Sequence, residues 1–397
     1  MNYILFDDAT RPRLLPFTHT RPIADIRCGI FTMRERWELL LKNKTGTLTE
    51  QYLEATYPKN ATDDLTLYIN GGVFGNEDLC QAISRLKDGE ALVYDSIVVA
   101  ACHAHNHLGY AEFHDHIWGL PPVNYDKDIK SLKNVWDIFS LNDYALRADY
   151  QLITKGRQSA PIPDGIMVSG KENLFIEKGA NIYAGCIINA SSGPVYIGND
   201  VVILEGSLIR GPFAACNNSL VKMGAKIYGP TTIGPGCKVG GENNNVVFFA
   251  NSNKSHDGYL GNSVIGEWCN LGADTNSSNL KNNYDEVKIW SEQHNRMIPT
   301  GLVFCGLLMG DHSKCGINTM FNTGTVVGVS ANIFGAGFPD KYIPSFSWGG
   351  PDGFVTHEFD KAMDTARRMM ERRGMALTDN LIELYRYIFT MAVAQRN

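Results

Sequence analysis

The sequence predicts an α/β domain, followed by a parallel β-helix of hexapeptide repeats and then a C-terminal helical hairpin. Residues 1–158 contain short apolar runs and amphipathic segments. From residue 166 to about 350, aliphatic residues recur every six positions. After residue 354 the apolar spacing becomes helical. We therefore expect domains at 1–158, 166–350 and 354–397, with the segment SAPIPDG (159–165) as a linker.

The N-terminal domain is predicted from short runs rich in β-branched and aromatic residues. The expected strands are Ile4–Phe6, Leu67–Asn70 and Ala91–Ala101. Two amphipathic helices are expected at Asp78–Leu86 and Leu141–Thr154, the second with Ser140 as its N-cap. Together these elements indicate an α/β domain.

The β-helix is predicted from the six-residue period. Each repeat would form a short strand and a turn, and three repeats would complete one coil of a triangular prism with the aliphatic residue inside. Glycine and asparagine suit the turns because they tolerate left-handed backbone angles. The in-phase positions are Ile176, Ile182, Ile188, Ile197, Ile203, Ile209, Val221, Ile227, Ile233, Val239, Ile265, Leu271, Met309, Cys315, Phe321, Val327 and Ile333.

The period is interrupted twice, between Val239 and Ile265 and again from Ser277 to about Val303. Insertions in a rigid repeat scaffold form loops, and such loops often carry function. We therefore expect functional side chains in these two segments.

The C-terminal region is predicted as two helices. The first would end at Gly374, and the second, DNLIELYRYIFTMAVAQ, would be capped by Thr378. The hairpin would cover the open end of the β-helix or join subunits.

Composition excludes several classes of function. The net charge of −6 and the pI of about 5.9 give no general attraction to nucleic acid or to an anionic membrane. No apolar run approaches the roughly 20 residues of a membrane span, and we expect no secretory signal. The nine cysteines are scattered without a CxxC pair, which favours reduced thiols in a cytoplasmic protein over a zinc site or disulfides.

Two segments carry a resemblance to a known family: ILFDDATRPRLLPFTHTRPIADIRCGIFTMRERWE (4–38) and SNKSHDGYLGNSVIGEWCNLGADTNSSNLKNNYD (252–285). They resemble the sugar nucleotidyltransferase/acyltransferase family, whose best-known type is the bifunctional N-acetylglucosamine-1-phosphate uridylyltransferase/glucosamine-1-phosphate acetyltransferase. The match is to a short, divergent branch of sugar nucleotidyltransferases. The resemblance implies a nucleotidyltransferase-like α/β domain joined to a left-handed parallel β-helix.

The resemblance places an acyl-transfer site in the β-helix. In the bifunctional type a loop histidine acts as general base and a tyrosine follows three residues later, as His256 and Tyr259 do here. A neutral imidazole suits this role because the attacking amine or hydroxyl must lose a proton. The alternative is an ordinary surface histidine.

Further substrate-binding residues are implied by the family pattern. Asn270 corresponds to a sugar-contacting asparagine, and Lys222 replaces a phosphate-binding arginine, keeping its charge but losing its fork. Lys254 would supply a second positive charge. The family's Asn-Tyr-Asp segment has two candidate counterparts, Asn279 by spacing and Asn283-Tyr284 by identity.

The family also implies the ligands and the assembly. Acetyl-CoA or another acyl-CoA would be the donor, and a sugar phosphate or nucleotide sugar would be the acceptor. Such β-helices usually form homotrimers with substrates bound between subunits. No nucleic-acid or membrane partner is implied.

The N-terminal loop resembles a phosphate-binding loop that has lost its glycines. Active family members carry Ala-Ala-Gly-x-Gly-Thr-Arg, Leu-x-Pro-x-Thr and Pro-Lys, whose glycine N–H groups face the phosphates. Here Thr10-Arg11 and Leu15-Pro16-Phe17-Thr18 match these elements, and Arg21-Pro22 stands near the family's basic residue. The candidates for nucleotide binding are Arg11, Arg13 and Arg21.

Asp7 and Asp8 stand where the glycines would be. Two carboxylates would repel a triphosphate unless Mg²⁺ intervened, so they are candidate metal ligands in a rearranged site. Alternatively the three arginines form salt bridges or a general anion patch, or the domain binds a nucleotide sugar without catalysis.

Three hypotheses follow. The first is acyl-CoA-dependent transfer to a sugar phosphate or nucleotide sugar, with His256 as the base. The second is nucleotidyl transfer from an NTP to a sugar-1-phosphate with release of pyrophosphate. The third is a non-catalytic trimeric scaffold that binds nucleotide sugars.

Overall fold

The computed structural model describes residues 2–60, 65–104 and 108–396. Two compact units are present: Met1–Ile26 with Phe31–Val135, and Arg27–Ile30 with Trp136–Asn397. The helices after Val135 belong to the second of these units.

The first unit is built on a six-stranded mixed sheet in the order β2-β1-β3-β5-β4-β6. The strands β1, β2 and β3 are parallel, whereas β5 runs antiparallel to both β3 and β4. The elements are β1 (Asn2–Phe6), α1 (Met33–Leu41), β2 (Gly46–Leu48), β3 (Thr66–Asn70), α2 (Glu77–Ile83), β4 (Glu90–Tyr94), β5 (Ile97–His103), α3 (Tyr110–Trp118) and β6 (Pro122–Asn124).

The two faces of this sheet bury separate cores because side chains alternate along each strand. Leu5 of β1 packs with Trp37 of α1 and with residues of α2. Its neighbours Ile4 and Phe6 point to the other face, where Phe113 of α3 joins them. The predicted α/β character of the N-terminal region is confirmed.

The predicted strand Ala91–Ala101 is wrong as a single element. It consists of β4 and β5, which form an antiparallel hairpin. Asp95 in the turn has a left-handed φ of 52°, a conformation that aspartate tolerates better than most residues. The sequence reasoning also missed α1, although Thr32 and Glu35 form a capping box at its N-terminus.

Two helices, α4 (Asp137–Ser140) and α5 (Asn142–Thr154), precede the solenoid. The helix over 141–154 is confirmed within a residue, but Ser140 is not its N-cap. Ser140 ends α4, and Leu141 in the N-cap position of α5 makes no side-chain cap. α5 therefore follows α4 after a single residue, Leu141, without a side-chain cap.

The second unit is a parallel β-solenoid. Its strands are β7 (Met167–Ser169), β8 (Leu174–Ile176), β9 (Asn181–Ile182), β10 (Ile187–Asn189), β11 (Val195–Ile197), β12 (Val202–Ile203), β13 (Leu208–Arg210), β14 (Phe213–Ala215), β15 (Leu220–Val221), β16 (Lys226–Tyr228), β17 (Thr231–Ile233), β18 (Lys238–Val239), β19 (Glu242–Phe248), β20 (Asn253–Lys254), β21 (Tyr259–Ile265), β22 (Asn270–Leu271), β23 (Asn276–Ser277), β24 (Lys288–Ser291), β25 (Arg296–Pro299), β26 (Leu308–Met309), β27 (Lys314–Cys315), β28 (Met320–Phe321), β29 (Val326–Val327), β30 (Asn332–Ile333), β31 (Tyr342–Ile343), β32 (Ser347–Gly350) and β33 (Gly353–Thr356).

All of the predicted in-phase aliphatic positions lie in one core inside this solenoid, which confirms the hexapeptide repeat. Their stacking follows the strand register. On the face formed by β9, β12, β15, β18, β20, β22, β27 and β30, Ile203 pairs with Val221, which pairs with Val239. Stacked aliphatic side chains thus form a continuous column.

The two interruptions of the repeat have different structures. Between Val239 and Ile265 the solenoid continues without an insertion, because β19 and β21 each run across two faces. The coil is shorter there: Val239 pairs with Lys254, 15 positions on, whereas Val221 pairs with Val239, 18 positions on. The second interruption is a true insertion that contains the antiparallel hairpin of β24 and β25.

The chain ends in α6 (Phe359–Glu371) and α7 (Asp379–Ala394). Thr378 caps α7 through the Leu381 amide, as predicted. The helices lie along the side of the solenoid: Arg373 donates to the Gly236 carbonyl, and Arg396 donates to the Ser345 carbonyl several coils later. Among the described residues, no helix is both long and apolar enough to span a membrane.

Candidate active site

The loop Ser255–Gly258 turns the corner of the solenoid between β20 and β21 and carries His256. The His256 side chain is exposed, and its imidazole makes no hydrogen bond to any residue in the described part of the chain. The backbone of this loop, in contrast, is bonded to the coils on both sides. Glu242 N donates to the Gly258 carbonyl at 3.2 Å, and Asp274 N donates to the Asp257 carbonyl at 3.1 Å.

Glycines in the neighbouring coils allow this close stacking. A Cβ on Gly241 would lie 2.8 Å from the His256 carbonyl oxygen, and one on Gly258 would lie 2.2 Å from the Thr275 carbonyl oxygen. Both glycines have positive φ angles, 67° and 118°. The loop is therefore held at its backbone while its histidine ring faces solvent.

Tyr259 follows the loop and contacts Asn279. The Asn279 amide nitrogen donates to the Tyr259 hydroxyl at 3.1 Å and to the Asn262 side-chain oxygen at 2.8 Å. Gly261 leaves room for this contact, because a Cβ there would lie 2.4 Å from the tyrosine oxygen. Since the hydroxyl accepts from Asn279, its own hydrogen is left to donate to a ligand.

Asn270 lies on the face of β20 and β22. The Asn253 amide donates to the Asn270 side-chain oxygen at 2.8 Å, and the Ser255 hydroxyl donates to Asn253. These three side chains join Asn270 to the histidine loop. The remaining hydrogen-bonding capacity of the Asn270 amide group can serve a sugar hydroxyl.

Lys222 occupies the same corner of the solenoid as the loop. A Cβ on Gly240 would touch the Lys222 Cβ at 2.9 Å and the Ser255 carbonyl at 2.5 Å, so these three residues stack in successive coils. With about 4.8 Å between paired strands, Lys222 starts about 10 Å from Ser255. A flexible lysine at that distance can reach an anionic group bound beside His256.

Lys254 is placed differently from the prediction. Its side chain points into the solenoid core, is 1% exposed and stands in the column between Val239 and Leu271. Its ammonium donates to the carbonyl oxygens of Gly258 (2.7 Å) and His256 (3.2 Å) and, more weakly, Gly240 (3.4 Å). In this structure Lys254 supports the loop and does not face a substrate.

The two candidates for the Asn-Tyr-Asp segment differ in their contacts. Asn279 contacts Tyr259, whereas Asn283 and Tyr284 lie in an exposed loop. Among the described residues, the Asn283 side chain bonds only to Asp285 in that loop, and the Tyr284 side chain is 69% exposed. The structure therefore brings Asn279, and not Asn283, to the His-x-x-Tyr element.

Glu242 was missed by the sequence reasoning. It pairs in register with Tyr259, and its carboxylate accepts a hydrogen bond from the Tyr228 hydroxyl at 2.6 Å. That bond raises the pKa of Tyr228 to about 12. The signal for Glu242 lay in strand alternation, because it and Tyr259 occupy the same outward position on adjacent coils.

In the first unit, Arg11 is part of a buried network and not of an open phosphate site. Its guanidinium forms an ion pair with Asp7 at 2.8 Å and donates to Tyr52 at 2.9 Å. Asp7 also accepts from the Ile23 amide at 2.7 Å and from the Thr49 hydroxyl at 2.5 Å. Arg11 and Asp7 are 5% and 1% exposed, so neither presents its charge to solvent.

A cavity of about 330 Å³ opens beside this network, and its lining includes Asp8, Arg13 and Lys133. The exposed Arg13 and the Lys133 ammonium give it positive charge. Arg21, the third predicted phosphate ligand, is buried and is not part of the lining.

The donor set does not fit the Mg²⁺ expected here. Asp7 is paired with Arg11, while Asp8 accepts from the Thr10 amide at 2.9 Å and from the Asn70 amide group at 2.8 Å. No group of three or more His, Cys, Asp or Glu side chains suited to a metal occurs within residues 2–60, 65–104 and 108–396. Both carboxylates are therefore bonded to donors of the protein itself.

Comparison with known proteins agrees with the two-part organisation. Residues 3–158 match a family described as sugar nucleotidyl transferase. An uncharacterized acetyltransferase, YaiX, from Escherichia coli is 28% identical over 171 residues, which cover 43% of this chain and 74% of that protein.

Two further relatives are named as bifunctional proteins. A bifunctional sugar-1-phosphate nucleotidylyltransferase/acetyltransferase from Sulfurisphaera tokodaii is 29% identical over 221 residues, 53% of this chain and 46% of its own. The bifunctional protein GlmU from Wigglesworthia glossinidia brevipalpis is 30% identical over 198 residues, 49% of this chain and 38% of its own. The matches thus span less than half the length of these bifunctional relatives.

These matches confirm the resemblance inferred from the two quoted segments. The N-terminal match covers the degenerate phosphate-loop region, and two of the relatives are bifunctional. The matches indicate a transferase: residues 3–158 are similar to the sugar nucleotidyl transferase family, and the chain is similar to sugar nucleotidyltransferases and acetyltransferases.

Proposed function

We propose that the solenoid transfers an acyl group from acyl-CoA, such as acetyl-CoA, to a sugar phosphate or nucleotide sugar, with His256 as the general base. The observation that carries this proposal is the geometry of the loop. An exposed imidazole, without a hydrogen bond to any of the described residues, stands on a fixed backbone next to the contact between Tyr259 and Asn279.

The chemistry uses each of these groups. An amine or hydroxyl of the acceptor attacks the thioester carbonyl carbon, so a bond to carbon forms and the carbon–sulfur bond breaks. His256 takes the proton of the attacking group and can return it to the leaving thiolate. Tyr259 and Asn270 would bind the acceptor through hydrogen bonds, and Lys222 would bind its phosphate.

A homotrimer is part of the proposal. The outward side chains of Met167, Ile187 and Leu208 stand in register on three adjacent coils, and they are 67%, 41% and 43% exposed. A row of exposed apolar side chains on a flat sheet face is typical of a surface that another chain covers. None of the nine cysteines, all of which lie in the described ranges, forms a disulfide, and this supports the inference that the protein works in the reducing cytoplasm.

A structure with bound acetyl-CoA tests this assignment. The proposal expects the thioester carbon next to the His256 imidazole, within reach of an acceptor bound at Asn270. Acetyl-CoA bound elsewhere on the protein, or not bound at millimolar concentration, would contradict it.

The second candidate is nucleotidyl transfer, or nucleotide-sugar binding without turnover, in the first unit. The cavity lined by Asp8, Arg13 and Lys133 favours an anionic ligand there. Pyrophosphate release from an NTP and a sugar-1-phosphate, abolished in Arg13→Ala and retained in His256→Ala, would establish the transfer. Tight nucleotide-sugar binding without pyrophosphate release would leave the binding role.

A further inference from the structure

We propose that Lys254 is a positioning residue that holds the His256 loop in its working conformation through a protonated ammonium inside the solenoid. The inference rests on the proposed acyl transfer for its consequence, but its structural part can be tested without any activity.

The position of Lys254 in the fold is unusual for a lysine. The inward column on its face contains Ile182, Ile203, Val221 and Val239 before it and Leu271, Cys315 and Ile333 after it. A charged group at such a position is costly unless it is fully bonded. The hydrogen bonds that the ammonium makes explain why a lysine can occupy this position.

Two of its three acceptors belong to the catalytic loop. The Lys254 nitrogen lies 3.2 Å from the His256 carbonyl and 2.7 Å from the Gly258 carbonyl, on either side of Asp257. The third acceptor is the Gly240 carbonyl in the coil before. Three N–H groups thus meet three carbonyl groups, and one lysine fixes the loop at two points against the preceding coil.

The Gly258 carbonyl has a second donor, the Glu242 amide, but Lys254 is the one donor recorded for the His256 carbonyl within the described residues. The absence of a Cβ on Gly241 lets that carbonyl point inward. Removal of the ammonium would leave the carbonyl of the catalytic residue itself without a partner, which would free the backbone that carries the imidazole.

The bonds depend on the charge state of the lysine. Burial lowers the pKa of Lys254 to about 8, and this effect is partly offset by Asp257 in the loop, by Cys315 further along the same column and by Asp274 in the next coil. A neutral amine has two N–H groups instead of three, so one carbonyl must lose its donor. The loop is therefore expected to loosen locally, with the lysine still inside the solenoid, as the pH rises through about 8, although the folded chain as a whole then no longer carries the cost of a buried charge.

Amide hydrogen exchange of the intact protein tests the structural part. In Lys254→Met, whose apolar side chain suits the aliphatic column, peptides that contain residues 255–258 should exchange at least tenfold faster than in the wild type. Lys314→Met is the matched control, because Lys314 is also a lysine with a pKa lowered to about 8 but bonds the His312 carbonyl. Unchanged exchange of the loop in Lys254→Met would overturn the proposal.

A second measurement covers the case in which Lys254→Met does not fold. In the wild type, the protection of residues 255–258, corrected for intrinsic exchange, should fall between pH 7 and pH 9, while that of the turn at 234–237 stays constant. The same pH dependence of exchange protection at residues 255–258 and at residues 234–237 would overturn the proposal.

The functional consequence separates this inference from the proposed function. Lys254→Met should lower kcat for acyl transfer about tenfold or more, leave KM for acyl-CoA within about twofold, and remove a loss of activity above pH 8 that the wild type shows. If the wild type transfers no acyl group, the proposed function fails, and the exchange result still decides whether Lys254 holds the loop.

Discussion

The Asn279 amide nitrogen donates to the Tyr259 hydroxyl across 3.1 Å, although 20 positions separate the two residues. The contact joins the first solenoid strand after the histidine loop to the start of the inserted segment. Asn279→Ala removes it, and we expect acyl transfer to fall about five- to tenfold, the size of one hydrogen bond. Steady-state kinetics with acyl-CoA measures this loss.

Asn283→Ala is the matched control for that variant, since the Asn283 side chain bonds to Asp285 within its own exposed loop. Its activity should remain within about twofold of the wild type. A large loss in Asn283→Ala with none in Asn279→Ala would show that residue identity, not spacing, locates the family's Asn-Tyr-Asp segment.

Gly261 is expected to be intolerant of a side chain. A Cβ there would lie 2.4 Å from the Tyr259 hydroxyl and 2.6 Å from the Asn279 amide, so Gly261→Ala must displace one of them. Gly316→Ala meets its nearest atom at 3.5 Å and serves as the control in the same solenoid. We expect reduced acyl transfer in the first variant only, and equal activities would contradict the predicted contact.

The Asp7–Arg11 pair is expected to contribute to stability and not to nucleotide binding. Arg11→Met leaves a buried carboxylate without its partner, which should lower the free energy of unfolding by about 3–5 kcal/mol. Arg13→Met, at an exposed position on the cavity rim, should change it by less than about 0.5 kcal/mol. Urea denaturation of both variants measures the difference, and similar stabilities would refute the structural role of Arg11.

The stability of the protein should depend on pH through Lys254. Its folded pKa of about 8 lies below the value for an unfolded lysine, so the unfolded chain binds more protons between these values and stability rises with pH there. Below pH 8, Lys254 is protonated in both the folded and the unfolded chain, so its contribution to the free energy of unfolding does not change with pH. Lys254→Met lacks this dependence.

The difference in unfolding free energy between Lys254→Met and the wild type should therefore move by roughly 2 kcal/mol in favour of the wild type from pH 8 to pH 10. Denaturation curves at several pH values measure it. A constant difference would mean that Lys254 does not titrate in the folded protein in this range.

The fold could be predicted largely from the sequence, because a six-residue period directly encodes which side chains point inward. The six-residue period did not predict the inward position of Lys254. At that point a coil of 15 positions replaces one of 18, and a lysine takes the place of an aliphatic residue. A polar residue in a Ser/Asn-rich stretch resembles a surface loop, and only the strand register shows that it is internal.

The candidate site was predictable where a short spacing along the chain determines it, as for His256 and Tyr259. The choice between Asn279 and Asn283 could not be made, since it depends on the path of an inserted segment. Arg11 and Asp7 illustrate a different limit: a motif shows which charges are present, but only their burial shows that they neutralise each other.

The release of CoA thiol from acetyl-CoA in the presence of sugar phosphates or nucleotide sugars tests the central claim most directly. Wild-type protein and His294→Ala, a variant of a histidine on the inserted hairpin, should release thiol at equal rates. His256→Ala should be slower by about a hundredfold or more, the usual contribution of a general base. Equal rates for His256→Ala and the wild type would contradict the assignment of His256 as the base.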